Sequence, residues 1–387
     1  VNFRSIAVTS LAVFICANSF ASDHIRSKRS INGTNATVQV DWAVALLKDY
    51  DQSESLRQNK SVLDYQFCGG VLINKNWIVT AAHCVEDINH KNISAAVGAL
   101  DLDQEAKTNN LTIKLISKIV IHPKYYSTYS PLKDMAWLDN DIALLKLKTE
   151  ASTKTPIDII DQNLPENSIT KTTGWGLIEY SSNYEKITYD GVEIYLINKT
   201  KRKPSVRQDV TYEIKDTDQC VDNKFSESRV TTSLWKVPKT ITYFIDNLKK
   251  LGIAQLKINK KINSSSNSNT EELKALEKKI DYSIKYFSRE VKLLLRHNIL
   301  LEATSKNTTT SKLISSSNQL CVGSVSTPVA GICFGDSGSP LIYQDNGVDK
   351  LYGLASFSHG CAAPNSLDVF TNVYTYKNWI NNTISND

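Results

Sequence analysis

Beyond its N-terminal stretch the sequence has no apolar run of the roughly 18 or more residues that a membrane-crossing helix needs. Stable membrane association is therefore not expected. The chain also lacks a dominant charge: 45 Lys and Arg against 40 Asp and Glu leave +5 over 387 residues. That balance gives no ground for a nucleic-acid or membrane-surface partner. A third lack is local. From about Phe225 to Asn318 glycine is nearly absent, while Lys, Ser, Asn and Thr are frequent. The stretch is thereby set apart from the turn-rich sequence on either side.

The N-terminus reads as a secretory signal over residues 1–21. Arg4 is its basic flank, "IAVTSLAVFICA" (Ile6 to Ala17) its apolar core, and "SFA" ending at Ala21 its cleavage site. Cys16 lies within that core. Six cysteines remain: Cys68, Cys84, Cys220, Cys321, Cys333 and Cys361. An even set in a secreted chain implies three disulfides, whose pairing spacing alone leaves open. The N-x-S/T triplets at Asn92 and Asn198 are candidate glycosylation acceptors. "RSKRS" (Arg26 to Ser30) offers a processing protease a basic site ending at Arg29.

From Trp42 to about Leu147 short Val- and Ile-rich runs alternate with turn residues, as in "VLINKNWIVTAA" and "LTIKLISKIVI". These read as strands of a barrel or sandwich. A second set begins at "KTTGWGL" and ends at "DVFTNV", with a polar connection near Pro165 between the sets and a closing helix in "YTYKNWINNTI". Inside the second set, Ile241, Phe244, Ile245, Leu248, Leu251 and Ile253 or Leu256 recur at helical spacing. So do Leu273, Leu276, Ile280, Ile284, Phe287, Val291 and Leu294, with Ser268 and Glu271 as a capping pair. The prediction is a helical hairpin inserted into the second β unit. Its polar faces are simplest as solvated surface, with a binding partner as the sharper alternative.

Three short motifs carry chemistry. "TAAHC" places His83 before Cys84, "DNDIALLKL" places Asp141 at the head of a strand, and "GDSGSP" holds Ser337. In this order, with "CGG" and "TGWG" among them, the chain resembles the chymotrypsin/trypsin-like serine endopeptidases from about Ser30 to its C-terminus. The resemblance implies an all-β fold of two antiparallel six-stranded β-barrels with a C-terminal helix, carrying the helical hairpin in the second barrel. The implied organisation is a signal (1–21), a propeptide (22–29), an N-terminal barrel (30–165), a C-terminal barrel in two parts (166–225 and 319–387) and the insertion (226–318).

A serine hydroxyl is a weak nucleophile without a base. The resemblance implies that His83 takes the Ser337 proton and later gives it to the leaving amine, while Asp141 fixes the imidazole tautomer. It assigns the oxyanion hole to the backbone N–H groups of Gly335 and Ser337, and a hydrogen bond from Ser356 to the aspartate. No metal or organic cofactor is implied. Ser339 departs from the family pattern, which has a second glycine there; its small size should be accommodated. The implied disulfides are Cys68–Cys84, Cys333–Cys361 and Cys220–Cys321, the last enclosing the helical insertion.

Family zymogens are activated when cleavage frees an amine that pairs with the aspartate before the nucleophile, here Asp336. Cleavage after Arg29 would free Ser30, and Gly33 and Ala36 then fall in the family's register. Ile31 restores the usual residue type but breaks the spacing. The aspartate at the pocket floor of trypsin-like members is here Gly331. From Cys361, however, "AAPNSLDVFT" matches without a gap and puts Asp368 opposite. A carboxylate there can receive Lys or Arg; the pairing resembles arthropod collagenolytic serine proteases. Ser358 stands where the pocket wall usually has glycine. Inserts before Cys68, before Asp141 and after Gly176 are expected to surround the cleft. The resulting expectation is a secreted endopeptidase acting on peptides or proteins, preferring Lys or Arg and activated by another protease. The alternatives are an apolar, chymotrypsin-like preference and a catalytically silent homologue that only binds.

Overall fold

The computed structural model describes residues 33–57, 59–130, 135–222, 237–264, 271–285, 287–288, 317–358, 361–362 and 367–387. The expected signal and propeptide, with Arg29, Ser30 and Ile31, lie outside the described residues, as does Ser268 of the capping pair.

The apolar runs of the first half become six strands: β1 (Ala43–Lys48), β2 (Gln66–Asn74), β3 (Trp77–Thr80), β4 (Ile93–Val97), β5 (Ile113–Ile121) and β6 (Ala143–Leu147). They close in the order β1-β2-β3-β6-β5-β4. Closure removes the sheet edge and leaves one face to be filled, which Leu46, Leu72, Ile78 and Leu145 do at zero exposure.

The second half supplies β7 (Ile169–Gly174), the pair β8 (Glu179–Tyr189) and β9 (Val192–Arg202), then β10 (Gln208–Lys215), β11 (Gln319–Ser324), β12 (Pro340–Asp345), β13 (Val348–Ser358) and β14 (Leu367–Asn372). Strands β10-β7-β12-β13-β14-β11 follow one another antiparallel, and β10 pairs with β11 to complete a second six-stranded ring. Burial alternates strictly along β10, as a period-two strand on a packed interior requires. Tyr212, Leu341, Tyr352 and Phe370 fill that interior.

Among the helices, α1 spans Val237–Ser264, α2 covers 271–285 and α3 spans Lys377–Ser385. The closing helix α3 returns to the first barrel, where Ile380 is buried in its core. No helix among the described residues is long and apolar enough to cross a membrane.

The insertion is not a free-standing helical hairpin. Helices α1 and α2 pack on the β8–β9 ribbon, and the three share an apolar core of Ile194, Leu196, Leu251, Ala254, Ile258, Ile280 and Phe287. The ribbon's backbone is satisfied from the helices. Asn247 exchanges two 3.0 Å hydrogen bonds with the Tyr195 main chain, and Ile197 N donates to Ser283 Oγ at 3.1 Å. An otherwise open strand edge is thereby covered. Insertions separated in sequence have become one satellite unit with its own core. The buried face of α1 also differs in register from the large-apolar pattern: Ala254 and Ile258 face inward, while Ile253 and Leu256 are 47% and 72% exposed.

The other two inserts are local. Before Cys68 lie a helix at Gln52–Arg57 and a 3-10 turn at Val62–Asp64. Before Asp141, Tyr126–Ser130 pairs antiparallel with Met135–Asp139. Disulfides join Cys68 to Cys84, Cys220 to Cys321 and Cys333 to Cys361. The Cys220–Cys321 bridge spans 101 residues and clamps the base of the helical insertion. In a chain-entropy model a closure of that length contributes about 4.7 kcal/mol.

Candidate active site

His83 and Asp141 come from two neighbouring strands at one end of the first barrel. His83 lies in a 3-10 turn, Ala82–Cys84, at the end of β3; Asp141 lies two residues before β6. Strands β3 and β6 are paired, so the two side chains meet. Asp141 Oδ2 accepts from His83 Nδ1 at 2.8 Å, and Oδ1 accepts from the His83 main-chain N–H at 2.9 Å. The Ser356 hydroxyl donates to the same Oδ2 at 2.6 Å, and Thr371 Oγ1 donates to the Asp141 carbonyl at 2.9 Å. The aspartate's side chain is 1% exposed and the imidazole 22%.

Burial opposes charge on both partners. For His83, however, the Asp141 charge and hydrogen bond outweigh desolvation and raise the pKa above 6.5. For Asp141, burial raises the pKa, but the His83 charge and the donors from His83 and Ser356 overcome it and hold the carboxyl below its ordinary value. With Nδ1 hydrogen-bonded to the carboxylate, Nε2 is the ring nitrogen left to act as a general base for a hydroxyl.

Ser337 sits on a loop fastened to both barrels. Its carbonyl accepts from Gly69 N of β2 at 2.7 Å, and Gly338 N donates to Ala355 O of β13 at 2.7 Å. Cys84 Sγ lies 3.6 Å from the Ser337 carbonyl and 4.0 Å from His83 Nε2, so the first disulfide packs against both the serine loop and the imidazole. Both sulfurs of the Cys68, His83 and Cys84 cluster are consumed by that bridge and are not thiolate ligands for a metal.

The glycines of the flanking motifs make room for this loop. A Cβ on Gly69 would meet Ser339 Oγ at 2.2 Å; one on Gly176 would meet Asp336 Cγ at 2.2 Å. Ser339 is buried in the space that Gly69 leaves, so the departure from the family pattern is accommodated by a neighbour without a side chain. Gly335 has φ +100°, a conformation L side chains rarely adopt.

Asp336 is buried, with Oδ1 accepting from Gly176 N at 2.8 Å and Oδ2 from Cys333 N at 3.0 Å. Desolvation pushes its pKa up to about 6 against those two donors. It borders a small cavity whose walls include Gly174, Gln208, Val210 and Ile332. Gly331 and Asp368 are brought together: a Cβ on Gly331 would stand 3.0 Å from Asp368 Oδ2. Asp368 is 3% exposed, and burial raises its pKa to about 6. Ser358 pairs in register with Asp368 across β13 and β14, and its hydroxyl favours the ionised carboxyl.

Two contributors carry no motif. Gln66, 2% exposed, donates its side-chain amide to Gly335 O at 2.8 Å and to Cys68 O at 3.1 Å. Lys203, just after β9, donates to the carbonyls of Leu63, at 3.1 Å, and Gln66. Burial lowers its pKa to about 8. The only signal for Gln66 is its place two residues before Cys68.

Comparison with known proteins agrees with this geometry. The trypsin family profile matches residues 46–232 and 242–380. The chain is 29% identical over 141 residues to a trypsin of Phaedon cochleariae, covering 35% of this chain and 49% of that protein. It is 30% identical over 138 residues to hypodermin-B of Hypoderma lineatum, with 35% and 49% covered. It is 37% identical over 83 residues to venom serine protease 34 of Apis mellifera, with 21% and 20% covered. These matches span half or less of the relatives' own lengths. The profile covers most of the chain, interrupted only at 233–241, and by that match, on two closed barrels, the chain belongs to the trypsin family.

Proposed function

We propose that the chain is a secreted serine endopeptidase, made as an inactive precursor and acting on peptide bonds of proteins or peptides. The observation that carries this is the network Ser356–Asp141–His83, closed at the cleft by a Ser337 loop hydrogen-bonded to Gly69 beside it. Ser337 Oγ attacks the scissile carbonyl as His83 Nε2 takes its proton. The resulting imidazolium is held by Asp141 and protonates the leaving amine, and water then resolves the acyl-enzyme by the same relay. The N–H groups of Gly335 and Ser337 receive the oxyanion.

The reading assigns 1–21 to a signal and 22–29 to a propeptide. Cleavage after Arg29 frees the Ser30 amine, which enters the cavity beside Asp336 and pairs with its carboxylate. Gly33 supports this register: it packs against Gln208 and Val210, both in the cavity wall. Ser30 lies three residues upstream, about 10 Å of extended chain. Asp368, facing Gly331, receives a Lys or Arg side chain before the scissile bond.

Two measurements test this. The precursor is cleaved after Arg29, the new N-terminus sequenced, and the product treated with a fluorophosphonate probe. Labelling that depends on cleavage and is absent in Ser337→Ala is the expected result. A processed chain that takes no label is not a serine hydrolase. Hydrolysis of peptides varying only in the residue before the scissile bond then tests specificity, with equal or faster cleavage after Phe or Leu at neutral pH counting against Asp368.

A further inference from the structure

Asp368 has a partner that no sequence motif announces. Tyr212 projects from β10 into the second barrel at 1% exposure, its ring edge-on to Phe370 with centroids 5.8 Å apart. Its hydroxyl lies 2.5 Å from Asp368 Oδ2. The same oxygen accepts the N–H of Ile332 at 2.9 Å, and that N–H also reaches Asp368 Oδ2 at 3.2 Å. An amide N–H can only donate, so the phenol oxygen is an acceptor there and its own proton is directed at the carboxylate. Ile332 follows Gly331, so one phenol ties the pocket's carboxylate to the backbone of its opposite floor.

We infer that Tyr212 is a positioning residue for substrate choice: its phenol holds Asp368 aimed at Gly331 and favours the ionised carboxyl, so that basic side chains are selected while Asp368 is charged and apolar ones when it is not. The inference rests on the reading of Asp368 as the specificity group. A donor to a carboxylate stabilises the charged form, and burial opposes it. Tyr212 and Ile332 both address Oδ2, so Oδ1, buried without a hydrogen-bond partner among the described residues, is the oxygen that meets a substrate ammonium or guanidinium.

The chemistry predicts a pH-dependent preference. Burial of Asp368 places its titration at about 6, inside the working range of a His83-based enzyme. The titratable groups facing it are Tyr212 from β10 and Asp336 from the 333–338 loop. Its other neighbours, Ser358 on β13, Val322 on β11 and the Cys220–Cys321 bridge beneath its carbonyl, carry no charge. A ratio of two substrates isolates Asp368, because the titration of His83 and of the activating amine is common to both.

The experiment uses the processed full chain and measures kcat/KM for peptides differing only in Lys or Leu before the scissile bond, from pH 5 to 8. The Lys/Leu ratio should rise with pH about a midpoint near 6. In Tyr212→Phe the midpoint should move up by about one pH unit, the weight of one hydrogen bond to a charged group, with the change carried by KM for the Lys peptide. Site-specific 3-fluorotyrosine at 212 keeps the ring and makes the phenol a stronger donor; its midpoint should move down. Asp368→Asn should flatten the ratio. A Lys preference that survives Asp368→Asn, or a wild type without Lys preference at any pH, overturns the specificity reading and this inference together. A preference abolished by Asp368→Asn, yet with an unmoved midpoint in both Tyr212 variants, overturns the inference alone.

Discussion

Gln66 donates its side-chain amide to the carbonyl of Gly335 at 2.8 Å, across 269 residues of sequence. The peptide that follows that carbonyl belongs to Asp336, and the N–H of Gly335 itself is one of the proposed oxyanion donors. Gln66 thus holds the loop whose amides are proposed to receive the oxyanion, by contacts to its own chain. Removing an oxyanion donor outright costs roughly 10²–10³ in kcat. Loosening the loop that carries it should cost less: Gln66→Leu is expected to lower kcat about tenfold and leave KM within about twofold. An equal effect on KM would place Gln66 in substrate binding instead.

Much of this site was legible because its chemistry sits in short contiguous strings. "TAAHC", "DNDIALLKL" and "GDSGSP" each put a reactive side chain beside the glycine, cysteine or strand start that positions it. Gln66 and Tyr212 were not legible, because each acts across a fold-generated contact and looks in sequence like an ordinary strand residue. The same limit applies to the insertion. Helical periodicity found α1 and α2, but nothing local says that a ribbon ending at Arg202 will cover their apolar faces. Burial of the small Ala254 in place of Ile253 reflects that packing: the helix faces Ile194 and Leu196 of β9 rather than its own densest apolar side.

The His83–Asp141 pair should set the acid limb of the pH profile. Desolvation alone would lower the imidazole's pKa, and Asp141 reverses that. The free enzyme's kcat/KM should therefore fall below a midpoint above 6.5, where His83 is protonated and cannot act as base. Asp141→Asn should move that midpoint to lower pH and cut kcat by roughly 10⁴-fold, as the tautomer is lost. An unmoved acid limb in Asp141→Asn would show that another group titrates there.

Stability of the unprocessed chain should run against the trend set by carboxylates held in ion pairs, whose folded pKa values are depressed. Asp336 and Asp368 both have folded pKa values of about 6, above the 3.8 of an unconstrained aspartate. The folded chain then binds more protons than the unfolded one between these values. Its stability is full below about pH 4 for these groups and is lost as pH rises through 6. Each contributes up to about 3 kcal/mol across that window. Urea denaturation of the precursor, carrying Ser337→Ala against autolysis and followed by tryptophan fluorescence, should give lower midpoints at pH 7 than at pH 5. After cleavage the amine of Ser30 compensates Asp336, so the processed form should lose less over the same interval. Identical slopes before and after processing would remove the proposed amine–Asp336 pair.

The satellite unit offers the sharpest separation of chemistry from selection. Its core is distinct from both barrel cores, yet its ribbon is rooted where the site is built: Leu177 N donates to Phe334 O at 2.9 Å and Ile178 N to Arg202 O at 2.9 Å. Lys203 fastens the other end to the carbonyl of Gln66. Leu251→Ala and Ile280→Ala each delete side chains with zero exposure and should cost 2–5 kcal/mol of the satellite's stability. Because the barrels share none of that core, the variants should show a separate, earlier thermal transition while the barrel transition stays in place. The rooting bonds lie outside the satellite core, so hydrolysis of a short Lys peptide should persist when the satellite has melted. Lys203→Met breaks the root itself, by way of Gln66 and Gly335, and should lower kcat on the same peptide with the satellite still folded. A single cooperative transition in Leu251→Ala and Ile280→Ala would mean that satellite and barrels fold as one unit. Peptide hydrolysis that vanished with the satellite transition would place its core, and not only its root, in support of the oxyanion loop.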